Sequence, residues 1–124
     1  MSKYISIILI ISTLFLAGCT PGSKGNLTDE QLVSIAQCLT NKGVKMYGAV
    51  WCSHCKKQKD AFGEAFQHIN YTECDPQTDL EGAKECLDKN IEGVPAWHFP
   101  DGTRKTGEVS PQELAELAGC SIDV

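Results

Sequence analysis

The chain has 124 residues, with 11 Lys and Arg against 16 Asp and Glu and a formal net charge of −5. That length carries one domain with one core, and an acidic chain without a basic block excludes nucleic acid as an expected partner. Seven cysteines in so short a chain point to an oxidising compartment once an export signal is found beside them.

Such a signal opens the chain. Lys3 is a minimal basic region, and Tyr4 to Phe15 is an apolar run too short for a comfortable transmembrane helix. It ends in Leu16-Ala17-Gly18-Cys19, which resembles the lipobox of bacterial lipoprotein signal peptides. The resemblance implies cleavage after residue 18 and a diacylglyceryl group on the Cys19 sulfur, an anchor with more than one acyl chain. The plainer reading is an ordinary signal peptide with a chance cysteine. Residues 19–26 then form a short lipidated tether, with Pro21, Gly22, Ser23 and Gly25 in it, and residues 27–124 the domain. The lipid accounts for the odd cysteine, leaving Cys38, Cys52, Cys55, Cys74, Cys86 and Cys120.

Thr28 is a good N-cap, and Gln31 three residues on completes a capping-box pattern. Leu32, Val33, Ile35, Ala36 and Leu39 form the apolar stripe of the helix that follows, and Asn41 and Gly43 end it. The run from Val44 to Val50 reads as a short buried strand. After Trp51-Cys52-Ser53-His54-Cys55, residues 56–66 read as a helix, with Phe62, Ala65, Phe66 and Ile69 on one face. Residues 69–74 read as a second strand, stopped by Asp75-Pro76. Residues 78–90 read as a helix carrying Leu80, Ala83 and Leu87, with Cys86 on it. Gly93-Val94-Pro95 is a break, residues 96–99 a third strand, and Pro100-Asp101-Gly102-Thr103 a hairpin turn into a fourth at 104–106. Ser110 caps the last helix, with Pro111 at its first position and Glu113 at the third. Leu114, Ala115, Leu117 and Ala118 face the core and Gly119 ends it. There is no internal repeat and no low-complexity segment.

The cysteine pair therefore sits where a strand hands over to a helix, with Cys52 near the helix N-terminus. Free N–H groups and the positive end of the helix dipole favour a thiolate there, and any positive charge on His54 adds to the effect. A CxxC in that setting reads as a redox motif. Two other readings stand beside it: an inert bridge, or a metal site built from the two thiols with His54 or His98. No second CxxC or HxxxH is present to close a tetrahedron, so no metal and no cofactor is expected.

The order α-β-α-β-α-β-β-α, with a CxxC after the first strand and Val94-Pro95 before the third, resembles the thioredoxin fold: α/β, a central mixed sheet of about four strands flanked by helices. The resemblance implies a cis peptide bond at Pro95, packed beside the CxxC, and a free backbone at Val94 for pairing with an extended substrate segment. Lys45-Met46-Tyr47-Gly48-Ala49 before the motif, His54-Cys55-Lys56-Lys57-Gln58-Lys59, Tyr71-Thr72-Glu73-Cys74-Asp75-Pro76 and Leu114 to Gly119 narrow it. They resemble the thioredoxin-like domain fused to or partnered with bacterial homologues of vitamin K epoxide reductase, over about residues 27–120. That resemblance implies an exported, membrane-anchored thiol oxidant acting on cysteine-containing exported proteins, extracytoplasmic and reoxidised by a quinone-linked membrane thiol oxidase. Three positions depart from pattern. Ser53 stands where the family commonly has proline, Ala96 where it has threonine after the cis-proline, and Met46 where thioredoxin has a buried acid. With Met46 buried, no carboxylate at that position helps to deprotonate Cys55.

In this reading Cys52 is the exposed attacking thiol, Cys55 the buried resolving one, and Trp51 lines the rim. Cys74 ends a strand and Cys86 lies on the next helix, so a bridge is expected between them. Cys38 and Cys120 lie near the ends of the first and last helices, and a second bridge is expected there if those helices lie side by side. Trp97 is expected to be half-buried in the sheet, and His68 and His98 to be ordinary surface or sheet residues. Lys56, Lys57 and Lys59 form a solvated helix face that raises the potential near Cys52. Similar chemistry run backwards, as a reductase serving haem attachment or disulfide repair, is the alternative activity. A metal-carrying or redox-inactive binding module is the alternative from another class. A monomer is expected, since no large exposed apolar patch is apparent.

Overall fold

A computed structural model describes residues 26–122. The expected signal peptide and the lipid site at Cys19 lie outside the described residues. The elements run α1 (Asp29–Asn41), β1 (Lys45–Gly48), α2 (Ser53–Phe62), a 3-10 segment (Gly63–His68), β2 (Tyr71–Glu73), α3 (Leu80–Asp88), β3 (Ala96–His98), β4 (Arg104–Thr106) and α4 (Pro111–Ala118). The four strands make one mixed sheet in the order β2-β1-β3-β4. β1 is parallel to β2 and antiparallel to β3, and β3 is antiparallel to β4. The architecture is α/β. Among the described residues no helix is long and apolar enough to cross a membrane.

The helix starts follow from their caps. The Thr28 hydroxyl accepts from Gln31 N at 3.2 Å while Gln31 Oε1 accepts from Thr28 N at 3.0 Å. Ser110 accepts from Glu113 N at the head of α4. Each cap satisfies backbone donors that no helical carbonyl reaches, and such caps contribute about 1 kcal/mol. Gly119 closes α4 in the left-handed conformation, φ 70°, which costs glycine little.

Alternation along the strands sorts the two faces of the sheet. Met46 and Trp97 are paired across β1 and β3, and both lie in the main core with Ile35, Leu39, Phe62 and Leu114. Tyr47 and Ala96 point the other way, into a smaller cluster with Cys86. So α1, α2 and α4 supply one core, and α3 covers the opposite face. Glu85 ties α3 to the sheet, accepting from Lys45 Nζ at 2.6 Å and from the Tyr47 hydroxyl at 3.0 Å. The Lys45 ammonium holds the Glu85 carboxyl below its ordinary range, and burial pushes the Tyr47 phenol up to about 12.

Several sequence expectations change here. β1 stops at Gly48 rather than Val50, because Cys52 N turns back to Ala49 O at 3.1 Å. The second strand keeps only Tyr71 to Glu73. The helix expected over 56–66 starts at Ser53, since Cys52 is its cap, and ends at Phe62, where Gly63 takes φ 56° and a tighter 3-10 segment follows. The third helix starts at Leu80 because Asp79 caps it through Gly82 N at 3.0 Å. Its buried stripe is Gly82, Ala83 and Cys86, and Leu80 and Leu87 are exposed. Trp97 is fully buried rather than half-buried. Leu117 is partly exposed on α4.

Cys38 is bonded to Cys120 and Cys74 to Cys86, across 82 and 12 residues of sequence. In the chain-entropy model such loops are worth about 4–5 and about 3 kcal/mol. The first ties α1 to the end of α4, and the second ties the end of β2 to α3.

Candidate functional site

Cys52 and Cys55 are the free cysteines among the described residues. Cys52 is the N-cap of α2, and its Sγ accepts from Cys55 N at 3.2 Å. This is the place in a helix where donors lack carbonyl partners, and an anionic sulfur accepts such bonds more strongly than a neutral one. On its other side Cys52 Sγ donates to Val94 O at 3.5 Å. The Val94–Pro95 peptide bond is cis, and Pro95 O accepts from Gly107 N at 2.8 Å. The β3 approach and the head of α2 therefore meet at one sulfur.

The two thiols sit in different surroundings. Cys52 retains 7% of its surface and Cys55 only 1%. Cys52 is thus more enclosed than an open attacking thiol, though still the more accessible of the pair. Trp51 and Val50 beside it are strongly exposed and make an apolar rim. Burial pushes the Cys55 thiol up to about 12, with its hydrogen bond to Cys52 adding to the rise, while a backbone bond at Ala49 and the Lys59 ammonium oppose it.

His54 faces a carboxylate. Its Nδ1 lies 2.8 Å from Glu108 Oε2, and both side chains are largely exposed. The lysines expected as one solvated face divide: Lys56 pairs with Asp60 at 2.9 Å, but Lys59 is half-buried with Nζ 4.1 Å from the Tyr71 ring centre. His98 packs against Tyr47 with ring centres 4.9 Å apart and the rings tilted by 58°, at the end of β1 away from the cysteines. Burial lowers its pKa, with the Arg104 and Lys89 charges acting the same way. His68 lies in the 3-10 segment, its carbonyl accepting from the Thr40 hydroxyl at 2.7 Å. Among the described residues no group of three or more His, Cys, Asp or Glu side chains converges as a metal site.

Four residues that sequence reasoning passed over shape the site. Gln58, one turn past Cys55, is buried; its Oε1 accepts from Trp97 Nε1 at 3.2 Å and Val109 N at 2.8 Å, and its Nε2 donates to Val109 O at 2.9 Å. Glu73 is buried at the end of β2, where Oε1 accepts from Val50 N at 3.1 Å and Asp75 N at 2.9 Å. Tyr71 donates its hydroxyl to Glu73 Oε2 at 2.7 Å. Glu108 faces His54. A mid-helix glutamine three residues from Cys55, and an acid inside a strand, were the available signals for the first two. Nothing local marks Glu108, which is 54 residues from its partner.

The arrangement defines a class of site: a dithiol at a helix N-terminus, with one sulfur reachable and one enclosed. No protein-family model matches the chain. It is similar to the thiol-disulfide oxidoreductase LTO1 of Arabidopsis thaliana, 45% identical over 95 residues. That match takes 73% of this chain, and the chain spans about a quarter of the relative's length, 25%.

Proposed function

We propose that the chain is a thioredoxin-like thiol–disulfide oxidoreductase, working through Cys52 and Cys55 and oxidising substrate dithiols. The observation that carries the proposal is the asymmetry of the pair. Cys52 caps α2 and takes the Cys55 N–H, while Cys55 lies enclosed behind it with its thiol pushed up to about 12. Exchange needs one sulfur that holds negative charge readily and one that waits as a thiol. The likeness to a named thiol-disulfide oxidoreductase supports the same reading.

In the oxidising direction a substrate thiolate attacks Sγ of Cys52 in the Cys52–Cys55 disulfide. Cys55 leaves and takes a proton, and a mixed disulfide joins Cys52 to the substrate. A second substrate thiolate attacks the substrate sulfur of that bond, and Cys52 leaves as a thiolate. Trp51 and Val50 offer the apolar rim for the substrate, and Val94 a backbone edge beside Cys52. The leader and Cys19 support export and lipid anchoring outside the cytoplasm. The resemblance in sequence supports cysteine-containing exported proteins as substrates and a quinone-linked partner of the vitamin K epoxide reductase type.

A reductase of similar fold is the second reading. The His54–Glu108 pair favours it, since the Glu108 carboxylate beside the head of α2 opposes the negative charge of a Cys52 thiolate.

The test is disulfide transfer from the oxidised full chain to a reduced two-cysteine peptide. Stoichiometric oxidation of the peptide is expected, lost in Cys52→Ser. Cys55→Ser, given a disulfide-bonded peptide, is expected to stall as a mixed disulfide at Cys52. No transfer, or a stalled adduct on another cysteine, would refute the assignment.

A further inference from the structure

Cys55 presents a problem in proton transfer. Each turnover makes it gain or lose a proton in a place with almost no contact with water. Met46 is fully buried in the same core cluster as Cys52 and Cys55 and carries no acid. The register of the sheet brings another group to the same spot. Gly48 is paired with Glu73 and Met46 with Tyr71, so Tyr71 and Glu73 project from β2 toward the face that holds α2. Gly48 has no side chain, and the notch it leaves is shared. A Cβ built there would lie 3.1 Å from the Tyr71 hydroxyl and 3.3 Å from Cys55 Sγ. Oxygen and sulfur thus border the same notch and lie at most about 6.4 Å apart, a span that a single bridging water covers. Behind the hydroxyl stands the Glu73 carboxylate, fixed by three donors.

We propose that Tyr71 and Glu73 form the proton relay of Cys55. When Cys55 closes the active disulfide, its thiol proton passes to Tyr71 Oη as the Tyr71 hydroxyl proton passes to Glu73 Oε2. The Cys55 sulfur attacks Sγ of Cys52 in a mixed disulfide, the bond from Cys52 to the partner sulfur breaks, and the partner leaves as a thiolate. Tyr71 ends uncharged, Glu73 holds the proton and later yields it to water. In the opening direction the same proton returns to Cys55 as it leaves. The concerted exchange keeps Tyr71 from becoming a free anion, which burial and the Glu73 contact oppose by raising its pKa. The titratable and charged groups facing this pair are Cys52 at the head of α2, Lys59 on α2, whose ammonium lies 4.1 Å over the Tyr71 ring, and Glu73 on β2. Lys59 favours negative charge on Cys55 and works with the relay.

This inference rests on the exchange reading, and the experiment separates the two. The full chain, with Cys19→Ser to silence that thiol and Cys52–Cys55 selectively reduced, is mixed with excess 5,5′-dithiobis(2-nitrobenzoate). Cys52 attacks the reagent in a bimolecular phase that releases one thionitrobenzoate. Cys55 then displaces the second in a unimolecular phase that reads its proton transfer. Tyr71→Phe keeps the ring on Phe66 and under Lys59, and Glu73→Gln keeps an oxygen for Val50 N and Asp75 N. Both variants are expected to slow the unimolecular phase about tenfold or more near neutral pH, the low end for general acid–base catalysis. The deficit should shrink toward alkaline pH, and the bimolecular phase should keep its rate. A unimolecular phase indistinguishable from the parent in both variants overturns the relay and leaves the exchange reading standing. Equal slowing of both phases also overturns it, assigning the pair to holding the loop. Absence of the bimolecular phase in the parent overturns the exchange reading, and the relay with it.

Discussion

Glu108 lies 2.8 Å from the ring of His54, so its carboxylate places negative charge beside the head of α2, where it opposes a thiolate on Cys52. Removing that carboxylate makes the reduced form more stable and the disulfide a stronger oxidant. Glu108→Gln is therefore expected to raise the reduction potential, read in glutathione buffers. The pair is exposed, such pairs are worth at most ~1 kcal/mol, and about 30 mV corresponds to ~1.4 kcal/mol, so the rise should stay under about 20 mV. A fall in potential would contradict this account of the site. Gln58 acts on stability instead. Gln58→Leu keeps a side chain of similar bulk but strands the Trp97 indole N–H and both backbone groups of Val109. Buried polar groups left without partners cost about 1–3 kcal/mol each, partly relaxed by movement, so about 3 kcal/mol should be lost in urea unfolding. An unchanged midpoint would show that those groups find other partners.

At the scale of elements, the packing of α3 on β2 decides between two opposed effects at Gly82. Alanine there gains about 1 kcal/mol of helix propensity. Its Cβ, however, would land on the backbone carbonyl oxygen of Glu73, and a carbonyl in a paired strand does not move aside cheaply. Overpacking costs about 1–3 kcal/mol, so Gly82→Ala is expected to lower the thermal midpoint; a raised midpoint would mean that α3 slides freely on the sheet. The helix caps were legible in the sequence because they are local: Thr28 with Gln31, and Ser110 with Pro111 and Glu113, act within one turn. The strand ends were not. β1 stops at Gly48 where Cys52 N turns back to Ala49 O and a carboxylate 23 residues later takes Val50 N, and no window around Val50 contains that second partner. Leu80 and Leu87 misled for a related reason: their spacing suits a buried stripe, but Gly82 sets how closely α3 approaches, and the contact goes to Ala83 and Cys86.

For the whole molecule, the sheet register is what assembles the site. Pairing Gly48 with Glu73 and Tyr47 with Ala96 brings the head of α2, the end of β2 and the approach to β3 to one end of the sheet. The bonds Cys38–Cys120 and Cys74–Cys86 hold α1 to α4 and β2 to α3. The CxxC was legible because its chemistry is carried by two residues at a fixed spacing. Tyr71 and Glu73 were not, because they become neighbours of Cys55 only when two parallel strands align. The central claim is that Cys52 and Cys55 cycle as an oxidising couple while the other bridges stay closed. Its most direct test is equilibration of the full chain in graded glutathione buffers, followed by thiol trapping and mass spectrometry. The account predicts that only the Cys52–Cys55 bond opens and closes, with a potential between about −120 and −180 mV, the range of known thiol oxidants and isomerases. A potential near about −270 mV, that of a reductant, or opening of Cys38–Cys120 or Cys74–Cys86 in the same buffers, would contradict it.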